Sequence, residues 1–291
     1  MKTAYLITKS DIKTTVFPAT TFALAATLSG SLLTSNHSPT LVSVLFRLPL
    51  SLLWTWSNLW LFNLANQRLP NSIIEDSINK PWRAIPSGRL SADAARHLLL
   101  FSIPLVYILT LFLGGRDESI ILMVLTWIYN DLGAADENFL VRHITNALGF
   151  ISFAAGATRV MCGHTLNTTS YTWLAVIAAV ITFTIQFQDM ADQEGDRERG
   201  RRTMPIVLGD RLTRVVNAFV ILAFSFIAPM FWRLDRFGYT MPMVVGGIIA
   251  GRTLLATTLA ADKKTFKLWC LWLVGLYLLP MFQHPGGLKW Y

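Results

Sequence analysis

The sequence predicts an all-α, polytopic membrane protein: one bundle of about nine transmembrane helices, with two aspartate-rich stretches on the cytosolic face capping a central cavity. Three observations predict it. Of the 291 residues, 53% are hydrophobic and only 14% are charged, against about a quarter charged in soluble domains. The apolar residues fall into runs, most of them near the roughly 20 residues that a bilayer core demands. Nine of the seventeen acidic residues lie in or just after two short segments, residues 66–89 and 188–210. No linker or low-complexity segment divides the chain, so residues 1–291 are expected to form a single domain.

In chain order, the first apolar run (16–33) follows Lys2, Lys9 and Lys13, as a signal peptide's would. Eight more runs follow it, which favours a retained helix. The second (41–64) carries Arg47, placed to snorkel outward, and Trp54, Trp56 and Trp60. The third (98–113) and a short fourth (119–130, with Trp127 and Tyr129) precede a polar segment. Next come runs at 144–161 and 171–187, then the second charged stretch, then 215–231, 241–261 and 266–282. The eighth run holds Arg252 at mid-span beside Gly247 and Gly251, a spacing that permits close helix packing. Cys162 and Cys270 are too few for a disulfide framework or a zinc site.

Lys and Arg set the orientation. With the N-terminus cytosolic, eighteen fall on inner segments, while Arg116, Arg159, Arg233, Arg236 and Lys289 fall outside. The net charge of +8 is then a property of the cytosolic face and does not signal nucleic-acid binding. The sequons at Asn36 and Asn167 land on the outer side, where glycosylation could occur.

The first charged stretch leaves the inner end of the second run. Asn71 and Glu75, or Ser72 and Asp76, can share a helix face, whereas Glu75 and Asp76 cannot. Pro81 and Pro86 break any helix, and Ser87-Gly88 turn the chain before the third run. In the second stretch Asp189, Asp192 and Asp196 fall at i, i+3 and i+7, one stripe if the sixth helix continues. Such a stripe suits Mg²⁺, which takes one or two carboxylates, waters and substrate phosphates. Arg197, Arg199, Arg201 and Arg202 follow at once, and Arg grips phosphate bidentately. A solvated loop of mixed charge is the plain alternative for either stretch alone. Two such stretches on one face, each with carboxylates followed by basic residues, point to a metal-bridged phosphate site.

With these motifs in view, the chain resembles the UbiA superfamily of intramembrane prenyltransferases over essentially its whole length. Asp192-xxx-Asp196 in Asp-Gln-Glu-Gly-Asp-Arg-Glu-Arg-Gly-Arg-Arg is the most specific match. Asn79-Lys80-Pro81-Trp82-Arg83 with Pro86-Ser87-Gly88-Arg89 is similar to the family's Arg-Pro-x-Pro-Ser-Gly segment, with Ala84 in place of a Pro. Tyr129-Asn130-Asp131, Arg142 and Asn146 resemble its inner loop. The first motif departs from the family's Asn-Asp-x-x-Asp-x-x-x-Asp. It begins Asn66-Gln67, and acids return only at Glu75-Asp76, a form similar to a fungal branch containing UbiA-type terpene cyclases.

The resemblance implies Mg²⁺-dependent ionisation of an allylic prenyl diphosphate in the membrane, most specifically cyclisation of farnesyl diphosphate to a sesquiterpene in terpenoid biosynthesis. The alternative is a transferase passing the prenyl group to an aromatic or polyketide-like acceptor. A transporter or lipid-binding protein would gather its charges at the bilayer midplane instead. The expected metal ligands are Asp76, Asp192 and Asp196, with Glu75 and Asp189 beside them and Asn66, Gln67 and Asn146 in support. Lys80, Arg83, Arg142, Arg197 and Arg202 are the expected diphosphate contacts. The isoprenoid tail would lie in the helical bundle, reached sideways from the bilayer, with up to a third of Trp54, Trp56, Trp60, Trp127 and Tyr129 lining its cavity. The expected location is the endoplasmic reticulum, with the site facing the cytosol.

Overall fold

The computed structural model describes residues 2–283; Lys289, counted above on the outer side, lies outside the described residues. All regular secondary structure among the described residues is helical, and the β contribution is one isolated bridge between Thr34 and Leu166. The helices are α1 (Lys2–Asp11), α2 (Phe17–Leu28), α3 (Leu41–Gln67), α4 (Pro70–Asn79) and α5 (Ala92–Leu113). They continue with α6 (Arg116–Asn130), α7 (Ala134–Glu137), α8 (Phe139–Cys162), α9 (Thr168–Thr184) and α10 (Gln193–Arg199). The last are α11 (Met204–Val207), α12 (Asp210–Phe231), α13 (Arg236–Leu255), α14 (Leu259–Leu278) and α15 (Pro280–Gln283).

Helix α8 is the hub, packing against α2, α3, α6 and α9. Its small residues Ala147, Ala154, Ala155, Gly156 and Ala157 let those neighbours approach closely. Trp54 of α3 lies flat on Gly156, where an added Cβ would come within 2.0 Å of the indole. A second buried layer, with Trp173, Trp232, Trp269 and Trp272, joins α9, α12, α13 and α14. By contrast α5 is mostly uncovered, with Leu100, Phe101, Leu105 and Phe112 exposed, as a lipid-facing helix requires. Among the described residues, four segments are long and apolar enough to cross a bilayer: Ala92–Leu113, Thr168–Phe187, Asp210–Phe231 and Leu259–Gln283.

Several expected boundaries move. Before the first run the chain is already helical, as α1 followed by a π-helical turn at Ile12–Val16. The fourth run is indeed short: α6 has 15 residues, about 22 Å of helix. The eighth run was expected to reach Ala261, but α13 stops at Leu255. Ala256 turns extended, and the Thr258 hydroxyl accepts from Ala261 N to cap α14. Arg252 therefore sits in the last turn of α13 and not at mid-span.

The largest correction concerns the stripe of Asp189, Asp192 and Asp196. Helix α9 ends at Thr184, a 3₁₀ turn spans Ile185–Phe187, and α10 starts afresh at Gln193. The three carboxylates thus lie on a turn and a new short helix, not along one continuing helix. At the opposite end, Asn167 Nδ2 donates to the carbonyls of Ser31 and Leu32, and its Oδ1 caps Ser170 N. A glycan would replace one of the two Nδ2 hydrogens, so modification of Asn167 would compete with one of these loop contacts. Asn36 uses only its Oδ1, toward Ser38 N.

Candidate active site

Helices α4 and α10 pack on each other and bring the two charged stretches together. Pro70 at the first turn starts α4, and the chain leaves it at Asn79, before Pro81. Gly195 makes the contact possible: a Cβ there would lie 2.3 Å from Asn79 Nδ2, which donates to the Asp192 carbonyl at 3.2 Å. Gly200, at φ 80°, then reverses the chain and turns Arg201 back toward α4. Arg199 Nη1 reaches Glu75 Oε2 at 3.0 Å and Ser72 Oγ at 2.6 Å, while Arg201 Nη1 reaches the same Glu75 oxygen at 2.9 Å. Asp136 of α7 accepts from both arginines.

Below this junction lies a cavity of about 650 Å³. Three wall helices run from polar to apolar along the cavity: Asn66 to Phe62 and Leu59 on α3, Tyr129 to Leu125 and Leu122 on α6, Arg142 and Asn146 to Phe150 and Phe153 on α8. About 16 Å of helix separates Arg142 from Phe153. The cavity is thus a charged chamber over an aromatic and aliphatic sleeve, the shape of an amphiphile with an anionic head.

The sequence-expected residues divide into three groups. Glu75, Asp192, Lys80, Arg83, Arg142, Asn66 and Asn146 line the cavity. Asp76, Asp189 and Asp196 stand behind that wall. Arg83 Nη1 holds both Asp76 oxygens at 2.8 and 2.9 Å, and Arg142 Nη1 holds both Asp189 oxygens at 2.7 and 2.8 Å. Asp196 gives only Oδ1 to Arg201, at 3.3 Å, and its Oδ2 is buried with no partner. Gln67, Arg197 and Arg202 are not brought to the cavity. Gln67 Nε2 donates to the Ile7 carbonyl at 2.7 Å, tying α3 to α1. Arg197 donates along its own helix to Gln193, and Arg202 points to solvent beyond the Gly200 reversal. Arg201 occupies the place expected of Arg202.

The electrostatics follow from burial set against these partners. Burial would raise the Glu75 carboxyl, but Arg201, Lys80 and Arg199 outweigh it and hold it below the usual range. Burial wins at Asp76 and raises its pKa despite Arg83 and Lys80. Burial and the neighbouring Asp189 charge push Asp196 up to about 7.

Among the described residues, no three His, Cys, Asp or Glu side chains converge as a ready-made metal cage. Mg²⁺ does not demand one, since substrate phosphates and waters complete its octahedron. Asp192, which faces the cavity and makes one loose 3.6 Å pair with Lys80, fits such an ion. Glu75 and the orphaned Asp196 Oδ2 fit it as well. Asp76 and Asp189 instead each give both oxygens to one arginine.

Sequence reasoning missed the amino-terminal segment. Tyr5, Lys9, Asp11 and Lys13 line the cavity, and Arg83 Nη2 donates to Ser10 Oγ at 2.7 Å and Asp11 Oδ2 at 3.3 Å. Of the five candidate aromatics, only Tyr129 lines this cavity. Trp127 borders a separate pocket of about 340 Å³ between α3, α5 and α6. The sleeve is phenylalanine instead: Phe62, Phe150, Phe153 and Phe266.

Comparison with known proteins bears on the fold and the family. A solved UbiA homolog from Archaeoglobus fulgidus, bound to DMAPP and Mg²⁺, superposes with a TM-score of 0.61 at 10% identity, covering 96% of this chain and 99% of that one. The chain is 28% identical over 281 residues to the somaliensene A/B synthase of Streptomyces somaliensis, covering 91% of this chain and 87% of that protein. It is 26% identical over 294 residues to the fumagillin β-trans-bergamotene synthase of Aspergillus fumigatus, covering 99% of this chain and 94% of that protein. The model of the UbiA prenyltransferase family matches residues 23–282. The protein therefore belongs to the UbiA prenyltransferase family, integral-membrane enzymes that use prenyl diphosphates.

Proposed function

We propose that the protein ionises an allylic prenyl diphosphate, most specifically farnesyl diphosphate, and cyclises the chain to a sesquiterpene without an external acceptor. The observation that carries this reading is the cavity itself: a charged chamber continuous with a phenylalanine sleeve, at about 650 Å³ in the range of a single small ligand. The two synthases of similar sequence favour cyclisation over transfer, and so does the first stretch, with Asn66-Gln67 where the family pattern has an early aspartate.

Lys80, Arg83, Arg142 and Arg201 would receive the diphosphate, and Glu75, Asp192 and Asp196 would hold Mg²⁺. When bound, that ion neutralises the negative charge that grows on the departing diphosphate. Arg83 and Arg142, fixed beforehand by Asp76 and Asp189, would present N–H donors to the same charge with little reorganisation. Tyr129, Phe62, Phe150 and Phe153 offer ring faces to the allyl cation and keep water away from it. Asp76 and Asp189 act as positioning residues, holding Arg83 and Arg142.

In this reading the chain crosses the membrane about nine times, with the N-terminus and both charged stretches cytosolic, in the endoplasmic reticulum. The test is incubation of membranes holding the protein with farnesyl diphosphate and Mg²⁺ alone. A cyclic hydrocarbon product is expected. Turnover that begins only after an aromatic acceptor is added would overturn cyclisation in favour of transfer.

A further inference from the structure

We infer that the cavity carries a second, outer station for a diphosphate group, built from Lys9 and Lys13 of the amino-terminal segment and Lys263 and Lys267 of α14. It would take the substrate's diphosphate on the way in and the released diphosphate on the way out, an inference that rests on the reading above. All four lysines line the cavity. Lys263 and Lys267 are four residues apart on α14, which puts both on one helix face, while Lys9 and Lys13 lie on either side of the passage from α1 into the π-helical turn. The pairs meet: Lys13 Nζ lies 5.7 Å from the ring centroid of Phe266, which shares its face of α14 with Lys263 and Lys267. At the other end Lys9 Nζ lies 4.5 Å from the ring of Trp82, the neighbour of Arg83. The lysines therefore lead from the open rim to the inner wall.

Charge accounting separates this group from that wall. Every inner cation has a carboxylate: Lys80 with Asp192, Arg83 with Asp76 and Asp11, Arg142 with Asp189, Arg201 with Glu75, Asp136 and Asp196. Among the described residues no carboxylate pairs with Lys9, Lys13, Lys263 or Lys267; Lys9 and Lys13 rest only on aromatic faces. Like charges one turn apart oppose each other, and here four do so around one opening. An anion shared among them relieves that repulsion, and the carboxylates of the cavity are already taken. Ammonium groups bind as mobile point charges rather than rigid forks. That suits a passing anion with many oxygens and several charges, which is the chemistry of diphosphate.

The test uses purified full-length protein in nanodiscs of neutral phosphatidylcholine, titrated with inorganic diphosphate in the absence of divalent metal. K13Q, K263Q and K267Q should each raise Kd about two- to five-fold. K13Q/K267Q should raise it on the order of ten-fold. K264Q, on the same turn of α14 but outside the cavity, should leave it unchanged. Because these side chains are exposed, the unfolding temperature should not move. The inference is overturned if K13Q and K267Q shift Kd no more than K264Q does. It is equally overturned if they matter only in discs containing anionic lipid, which would make the lysines headgroup ligands. Turnover of farnesyl diphosphate by the unsubstituted protein is read separately: its absence would sink the proposed function and leave the Kd pattern to judge the station.

Discussion

Asp189→Asn tests whether this aspartate holds an arginine or a metal. Both oxygens of Asp189 face Arg142 Nη1 at 2.7 and 2.8 Å, and the two side chains are 0% and 4% exposed. The substitution keeps the shape but leaves a buried guanidinium without its counter-charge. Removing one partner of such a pair costs about 3–5 kcal/mol. At roughly 2–4 °C per kcal/mol, that is a fall in unfolding temperature on the order of 10 °C. The assay is thermal unfolding of the purified protein in detergent, with and without chelator. The loss should appear in full with metal removed, and Arg142→Gln added to Asp189→Asn should recover more than half of it, as expected of coupled partners. If Asp189→Asn kept its unfolding temperature in chelator but lost a rise that Mg²⁺ gave the unsubstituted protein, Asp189 would be a metal ligand and the positioning role would be refuted.

Three further outcomes follow from the same geometry. Asp192→Asn should lower turnover by about 10²–10³-fold while shifting the unfolding temperature little, because Asp192 is partly exposed and loosely paired; a stable variant with near-normal turnover would exclude it as a ligand. Gly195→Ala should push Asn79 off the Asp192 carbonyl and cost about 10–100-fold in turnover, and full activity would show that this contact does not set the site. The Asp196 carboxyl, at about 7 in the folded chain, lies above its ordinary value. Its proton therefore favours the folded state at acid pH, and that stability is lost as pH rises through 7. Metal-free protein should unfold more readily at pH 8 than at pH 6, and Asp196→Asn should flatten the difference; an unchanged slope in the variant would assign it to another group.

What could be read from the sequence depended on whether the signal was local. Apolar runs mark buried or lipid-facing helix wherever they occur, and Pro70 and Pro81 bracket α4 because proline suits a first turn and cannot continue a helix. The break after Thr184 has no such mark, since no Pro or Gly stands between Thr184 and Gln193. Long-range partners hold that turn: Arg142 on Asp189 and Asn79 on the Asp192 carbonyl. The choice of Arg201 over Arg202 was likewise hidden, because only the left-handed Gly200 decides which of two adjacent arginines faces inward. Nor does Lys2–Asp11 carry a long apolar face; it is placed by single contacts, Gln67 to the Ile7 carbonyl and Arg83 to Ser10 and Asp11. The end of α13 did have a local cue in Thr258, a good N-cap inside an apolar run.

The mutual pairing of the two charged stretches has a consequence for the order of events. Glu75 is held by Arg199 and Arg201, and Lys80 leans on Asp192, so at the cavity wall these acids and bases already serve one another. A divalent ion arriving alone would have to evict a cation and leave it stranded. A diphosphate arriving alone would do the same to a carboxylate. On the proposed reading, a metal–diphosphate complex would give each displaced group a new partner at once, so the two ions would enter as a single passenger, and the wall would close on itself again when that passenger left.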